Sequence, residues 1–206
     1  MGFFEDDFVE LPLAEPDESD RFKVDRNVNV STIDSYLGIP DVCYRDMRFL
    51  NDTAQWEKVG GDHELSFTIE GFEIVPYPLI ATLKKLPVPG AYEGPKLFDV
   101  DWVDDGGPKS VTANYAESEQ ILNDLFPKDQ PILMLCGGGG YSGMMRDFLE
   151  YMGWNPDDLY NVGAGWKYSG GHAVDLIETA SDGSKSYKLW RACCAIINFD
   201  QLTPVR

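Results

Sequence analysis

The sequence predicts an α/β fold, with a central parallel β-sheet and helices on both of its faces. Residues 132–136 form an uninterrupted apolar run, which is typical of a strand buried on both faces of a parallel sheet. After a run of glycines, residues 144–152 place Met, Phe and Leu side chains on one face of a helix. The order helix, strand, glycine loop, helix, strand is the order that parallel strands with crossover helices require.

The first part of the chain predicts an arm followed by short elements. Residues 1–27 are acidic and contain prolines, so we expect an extended N-terminal acidic arm. Residues 28–206 are then expected to form a single domain. Within it, residues 31–38 predict a short capped helix that stops at a glycine, and residues 42–50 predict a strand.

The middle of the chain predicts two strand regions separated by a long insertion. Residues 51–61 fit a short helix that ends at two glycines. Residues 64–78 alternate and are rich in β-branched and aromatic side chains, which predicts a strand broken at Gly71. Residues 83–110 are dense in proline and glycine, so we expect an irregular insertion with one short strand. Residues 115–126 have helical spacing.

The C-terminal part leaves two interpretations open. Residues 159–166 predict a strand that enters a glycine-rich turn. Beyond it, Asp182-Gly183 is typical of a β-hairpin, whereas residues 186–199 also fit a helix. We favour the hairpin, which makes this region an extended C-terminus of the domain.

Composition and charge exclude several classes of partner. The net charge of −18 repels nucleic acids and anionic membrane surfaces. No apolar run reaches the length of a membrane span, so we expect no membrane insertion. The first residues lack the basic-then-apolar order of a signal peptide, and a cytoplasmic location is therefore expected.

A metal centre is not expected either. The four cysteines form no C-x-x-C pair, and His63 and His172 are the only histidines. We expect neither a metal site nor another cofactor. The low cysteine count in a chain of this length favours a reducing compartment.

The segment CGGGGYSG at residues 136–143 is the strongest functional signal. It follows a buried strand and precedes a helix, which is where open α/β sheets bind ligands. Successive glycine N–H groups can converge on an anion, and a helix N-terminus adds positive partial charge. Cysteines in such places ionise at about pH 3.5–7.5, so Cys136 is expected to be a reactive thiolate. The alternatives are a buried packing cysteine or a flexible glycine connector.

This loop resembles the active-site loop of rhodanese-like domains, C-x-x-G-x-R-[ST]. Cys136 matches the catalytic cysteine, Gly139 the fixed glycine and Ser142 the final Ser or Thr. Tyr141 departs from the pattern, because the family commonly has arginine there.

Further stretches extend the resemblance over about residues 30–175. VCYRDMR at residues 42–48 is similar to an early strand that ends in D-x-R, with Asp46 and Arg48 matching. The other similar stretches are GFEIVPYP, PKDQPILMLC and MGWNPDDLYNVGAGWKY.

The resemblance implies a rhodanese-like sulfurtransferase. A small sulfur donor (thiosulfate, a persulfide or a polysulfide) would load a persulfide on Cys136, and a thiol or cyanide acceptor would remove it. The residues expected to bind the substrate are Gly137, Gly138, Gly139, Gly140, Tyr141, Ser142 and Gly143. The reaction requires the Cys136 sulfur to face an open hollow at the start of the helix. No protein partner is indicated.

The tyrosine at position 141 weakens the expectation for an anionic donor. A lost charge-assisted hydrogen bond costs about 1.5–3 kcal/mol, so we expect weak activity on thiosulfate. The alternative function is a catalytically weak rhodanese-like binding or sensing module. Related phosphatases close their loop with an arginine, but no arginine lies between Cys136 and Arg146, which follows the loop by about one helical turn.

The remaining candidates are expected to be structural rather than catalytic. An Asp-x-Arg at a strand end typically forms ion pairs that orient loops. The adjacent thiols at positions 193 and 194 fit the core, or could resolve a persulfide by exchange. The full set comprises Asp46 and Arg48 as an ion pair, Cys43, Cys193 and Cys194 as packing residues, His63 and His172 as loop or surface residues, and Trp166 and Tyr168 as packing residues or pocket walls.

Overall fold

The centre of the protein is a four-stranded parallel β-sheet, in a computed structural model that describes residues 9–48, 66–84, 92, 94–188 and 195–205. In chain order the strands and α-helices are β1 (Cys43–Asp46), β2 (Phe67–Ile69), β3 (Glu73–Ile74), α1 (Tyr77–Ile80), β4 (Phe98–Trp102), β5 (Pro108–Ala113), α2 (Ser118–Leu125), β6 (Ile132–Cys136), α3 (Gly140–Tyr151), β7 (Leu159–Ala164), β8 (Ala173–Asp175), β9 (Ile177–Thr179) and β10 (Lys185–Tyr187). The central sheet has the order β3-β1-β6-β7, with all pairs parallel. All five residues of β6 are buried, as their apolar character predicts. The prediction of a central parallel sheet is confirmed.

The three described α-helices pack on one face of this sheet, rather than on both faces as expected. Ile132 and Met134 of β6 join the helix-side core, and Leu133 and Leu135 join the core on the opposite face. This division follows from the alternation of side chains along a strand. The helices contribute eight buried side chains to the helix-side core: Tyr77, Ile80, Leu122, Tyr141, Met144, Met145, Phe148 and Leu149. None of the helices in the described ranges is long and apolar enough to cross a membrane.

The opposite face is covered by irregular chain and a two-stranded ribbon. Val28 and Ile33, the latter in a 3-10 helix at Ile33–Tyr36, pack there with Leu133 and Leu135. The antiparallel pair β2 and β8 contributes Ile69. The short helix predicted at residues 31–38 is therefore a single 3-10 turn, and the predicted helix at residues 51–61 lies outside the described residues.

The described part of the N-terminal arm, residues 9–27, lies along the outer edge of β7. The Asp25 N–H donates to the Asn161 carbonyl at 2.8 Å, and the Tyr160 hydroxyl donates to the Pro12 carbonyl at 2.6 Å. Asp25 is 2% exposed, and its carboxylate accepts hydrogen bonds from the main-chain N–H groups of Glu15, Asn27 and Val28. The described part of the arm is therefore fastened to the domain by backbone hydrogen bonds.

Strand β7 contains a bulge. Met134 lies opposite Asn161, but the next residue, Leu135, lies opposite Gly163. Val162 is thus an extra residue in β7, and Gly163 adopts a φ of +97°. The bulge changes the pairing of β7 halfway along its length.

Two antiparallel β-hairpins lie outside the central sheet. The predicted insertion at 83–110 contains β4 and leads into β5, an antiparallel pair where one short strand was expected. The hairpin predicted at Asp182-Gly183 is confirmed, since β9 and β10 pair around it and Gly183 has a φ of +83°. The alternative helix at 186–199 begins in a strand, and residues 189–194 lie outside the described part.

Candidate active site

The cysteine loop joins the end of β6 to the start of α3. Helix α3 begins at Gly140, so the last four residues of the CGGGGYSG segment already belong to the helix. Gly139 immediately precedes it with a φ of +93°, a left-handed conformation that a residue with a Cβ adopts only at a cost. The Gly139 carbonyl accepts the N–H of Gly143 at 3.0 Å. The glycine matched to the fixed glycine of the motif therefore performs the turn from strand into helix.

The sulfur of Cys136 is turned toward the first turn of α3. Its Sγ accepts a hydrogen bond from the main-chain N–H of Gly139 at 3.0 Å, and the Ser142 Oγ lies 3.6 Å away. The N-terminus of a helix carries positive partial charge, and both contacts lie at that end. The side chain is only 1% exposed and belongs to the helix-side core. The sulfur therefore has a main-chain donor but no broad opening to solvent.

The loop glycines allow neighbouring groups to approach closely. A Cβ on Gly138 would lie 2.6 Å from the Trp166 ring, and a Cβ on Gly143 would lie 2.9 Å from the Phe22 carbonyl oxygen. Real Cβ atoms do not tolerate such distances. The Phe22 ring also packs over Gly139 and Gly140. Trp166 and the arm residue Phe22 therefore flank the loop, which matches the wall role weighed for Trp166.

Tyr141 lies in the core beside the loop. It is 4% exposed, and its ring stacks on that of Tyr77 with centroids 5.9 Å apart. Arg146 is also buried, and its Nη1 pairs with Asp147 at 3.4 Å and Glu150 at 3.2 Å on its own helix. Position 141 carries no guanidinium, and the guanidinium of Arg146 pairs with carboxylates of its own helix. Neither residue therefore acts as an arginine clamp over the cysteine loop.

Asp46 and Arg48 form the expected buried ion pair at the end of β1. Both are almost fully buried, and the Arg48 Nε donates to both carboxylate oxygens of Asp46 at 2.8 and 3.0 Å. The Thr68 hydroxyl donates to the same carboxylate, and an Arg48 Nη2 donates to the Phe67 carbonyl at 2.7 Å. The pair therefore ties the end of β1 to β2, which is a structural role.

The other sequence candidates lie away from the sulfur or outside the described residues. The Tyr168 hydroxyl donates to Asp34 at 2.5 Å in the opposite core. The His172 ring contacts Glu70 at 3.3 Å beside the β2–β8 ribbon. Within the described ranges, no three His, Cys, Asp or Glu residues are grouped so that they could hold a metal ion. His63, Cys193 and Cys194 lie outside those ranges.

A groove of about 620 Å³ runs beside the loop. It lies between the arm, the turn from β4 to β5, and α3, and Gly140 and Gly143 form part of its floor. Burial raises the pKa of Asp147 on its wall, an effect opposed by Arg146, Lys23 and Lys84. Cys136 does not line this groove, so the groove is not the open hollow that the reaction requires in front of the sulfur.

Two residues of the site were not anticipated from the sequence. Asn161 bonds to Ser142 and to Gly139, and Phe22 covers the loop glycines. The sequence contains one indication of the role of Asn161. It is a polar residue within an apolar strand, and buried polar side chains need hydrogen-bond partners. Nothing near Phe22 in the sequence pointed to a loop more than a hundred residues away.

Comparison with known proteins gives no relative. No protein-family model, no curated protein and no solved structure matches this chain.

Proposed function

We propose that the protein is a rhodanese-like sulfurtransferase in which Cys136 is the nucleophile. The observation that carries the proposal is the hydrogen bond from the Gly139 N–H to the Cys136 sulfur at the start of α3. A main-chain donor and a helix N-terminus both favour the thiolate over the thiol. The donor is fixed before the reaction and serves the inner sulfur, which carries the thiolate charge before the persulfide forms and again after it is discharged.

The proposed reaction has two balanced half-reactions. The Cys136 thiolate attacks the outer sulfur of a donor R–S–S⁻, or of thiosulfate. A new S–S bond forms on Cys136 as the donor's S–S bond breaks, which gives Cys–S–S⁻. The thiolate R–S⁻, or sulfite from thiosulfate, leaves with the electron pair, and no proton is transferred. An acceptor thiolate or cyanide then attacks the terminal sulfur, and the Cys136 thiolate leaves. No external oxidant or reductant is needed.

The surroundings of the loop favour persulfide or polysulfide donors over thiosulfate. Tyr141 stands in the arginine position of the motif, and its ring packs on Tyr77. An arginine there would pair with a dianionic donor, and the net charge of −18 offers no compensation at long range. Thiosulfate is therefore expected to load the cysteine more slowly than a polysulfide does.

A second candidate is a binding or sensing module with the same loop. The observations that favour it are the 1% exposure of Cys136 and its absence from the lining of the groove, because sulfur transfer requires the loop to open before a donor can reach the sulfur. Under this candidate, the loop binds a small anion or partner without a covalent step.

Mass spectrometry after exposure to a donor separates the two candidates. The protein is incubated with inorganic polysulfide or thiosulfate, and the peptides that carry each cysteine are analysed. We expect one added sulfur atom on Cys136 with polysulfide, less with thiosulfate, and loss of the added atom after cyanide. Cys43 provides an internal control, because it is a buried cysteine whose sulfur accepts no described N–H, and Cys136→Ser provides the variant control.

The absence of an adduct on Cys136 with either donor would reject the transferase and support the binding module. An equal adduct on Cys43 would show that the chemistry does not depend on the loop.

A further inference from the structure

Asn161 has every hydrogen-bonding position filled. Its Nδ2 donates to the Phe22 carbonyl at 2.7 Å and to the Gly139 carbonyl at 3.2 Å. Its Oδ1 accepts the Ser142 hydroxyl at 2.7 Å and the Gly163 N–H at 3.0 Å. A side-chain amide offers two donors and two acceptor positions, so this set is complete. The reversed amide would place its oxygen against two carbonyl oxygens, which fixes the orientation.

The Ser142 hydroxyl has a single hydrogen and three acceptors within reach. The Asn161 Oδ1 is nearest at 2.7 Å, followed by the Gly139 carbonyl at 3.2 Å and the Cys136 sulfur at 3.6 Å. The shortest contact has the length of a good O–H···O hydrogen bond. The hydrogen therefore points to Asn161, and Ser142 turns an oxygen lone pair rather than a hydrogen toward the sulfur.

We propose that Asn161 is a positioning residue, which holds the hydroxyl hydrogen of Ser142 away from the Cys136 sulfur. Under this arrangement the Gly139 N–H stabilises the thiolate, and Ser142 does not add a second short hydrogen bond to it. A thiolate that is less stabilised is a stronger nucleophile once it forms. The catalytic meaning of this inference rests on the proposed function, but the hydrogen-bond assignment does not.

Titration of the Cys136 thiolate tests the assignment without any sulfur donor. Thiolate absorbance in the ultraviolet is followed against pH for the wild type, Asn161→Ala, Ser142→Ala and the double variant. From each curve we subtract that of a matched protein with Cys136→Ser, which removes the absorbance of the other three cysteines. The quantity compared is the pH midpoint of Cys136 ionisation.

Asn161→Ala is expected to lower the midpoint by about one pH unit, because the freed Ser142 hydroxyl turns to the thiolate. Ser142→Ala alone is expected not to raise the midpoint. In the Asn161→Ala background, Ser142→Ala is expected to raise it again by about the same amount. This dependence of one residue on the other separates positioning from a general structural role.

A rise of half a unit or more in Ser142→Ala alone would overturn the proposal, because the hydroxyl would then already serve the sulfur. An unchanged midpoint in a folded Asn161→Ala variant would overturn it as well. If Asn161→Ala does not fold, Ser142→Ala alone decides, because removal of a hydroxyl that points to Asn161 leaves the midpoint of Cys136 without a rise. If the midpoints shift as expected but no persulfide forms on Cys136, the proposed function is rejected and the hydrogen-bond assignment stands.

Discussion

At the scale of single residues, two buried cysteines on neighbouring strands have different environments. Cys43 on β1 is 5% exposed, and its sulfur contacts the Leu125 carbonyl at 3.7 Å, where the thiol is the donor. Burial raises the pKa of the Cys43 thiol to about 11. Cys136 on β6 is also buried, at 1% exposure, but its sulfur accepts an N–H from Gly139. The direction of the hydrogen bond, rather than exposure, distinguishes the two sulfurs.

The raised pKa of Cys43 predicts a loss of stability at high pH. Its folded pKa of about 11 exceeds the ordinary 9.0, so its contribution is complete below pH 9 and disappears as the pH rises through 11. We expect the free energy of unfolding to fall by about 2–3 kcal/mol across that range because of this thiol. Urea unfolding of wild type and Cys43→Ala, measured from pH 8 to about pH 11, gives the difference. The tyrosines with raised pKa values contribute equally to both proteins.

Parallel pH curves for the two proteins would show that Cys43 ionises without a burial cost. A curve for the variant that falls more steeply than that of the wild type would contradict the sign of the effect.

Single residues of the site were predictable only where the chain itself carries the signal. Cys136 and Gly139 stand in one short motif, and the structure places the sulfur beside the Gly139 N–H. Asn161 acts through its two amide atoms on partners far apart in sequence, Phe22 and Ser142. A pattern along the chain contains no information on such a contact until the arm and β7 are placed side by side.

At the scale of elements, the start of α3 determines the position of the donor to sulfur. Gly139→Ala is expected to destabilise the protein by about 1–2 kcal/mol, because an alanine is strained at a φ of +93°. It is also expected to reduce persulfide formation, since relief of that strain moves the N–H away from Cys136. Thermal unfolding and the mass-spectrometric assay measure the two effects.

Gly140→Ala is the matched control one residue along. A Cβ at Gly140 would meet the Phe22 ring at 3.4 Å, an ordinary contact, and alanine favours helix more than glycine does. We expect stability unchanged or raised by up to about 1 kcal/mol. Equal losses in both variants would assign the effect to the Phe22 contact instead of the backbone conformation.

Elements with a strong periodic signal were predicted well, and weakly marked ones were not. β6 is a short apolar run that ends at four glycines, and α3 has apolar side chains at helical spacing, so each pattern favours one type of element. The second strand of the insertion, β5, was missed because prolines and glycines dominate its surroundings, although Asp105-Gly106 is a typical hairpin dipeptide. The face on which the helices pack was also mispredicted, because an amphipathic pattern indicates that a helix is covered but not which face of the sheet covers it.

At the scale of the whole molecule, residues 9–27 of the N-terminal arm are a structural part of the domain. Removal of residues 1–27 deletes the contacts of Asp25, Phe22 and Pro12 with β7, and the Ala14 N–H bond to the Asp157 carbonyl. At about 1 kcal/mol per hydrogen bond, the free energy of unfolding is expected to fall by roughly 3 kcal/mol or more. Denaturant unfolding measures the loss.

Removal of residues 1–8 alone retains each of these contacts and serves as the control. The loss of roughly 3 kcal/mol is measured between the two shortened chains, so that it reports on residues 9–27. An equal midpoint for the longer deletion would contradict the role assigned to the arm. The acidic composition predicted an arm but not its attachment, because the attachment relies mainly on main-chain groups that every residue possesses.

The bulge at Val162 has a consequence for how this protein can vary. Asn161 lies in β7 before the extra residue, whereas Trp166 follows the end of β7, so the two residues reach the cysteine loop from opposite sides of the bulge. The indole packs against Gly138, and the amide holds Ser142. Substitutions at Trp166 and at Asn161 therefore alter different contacts of the loop, and a laboratory selection can vary them one at a time.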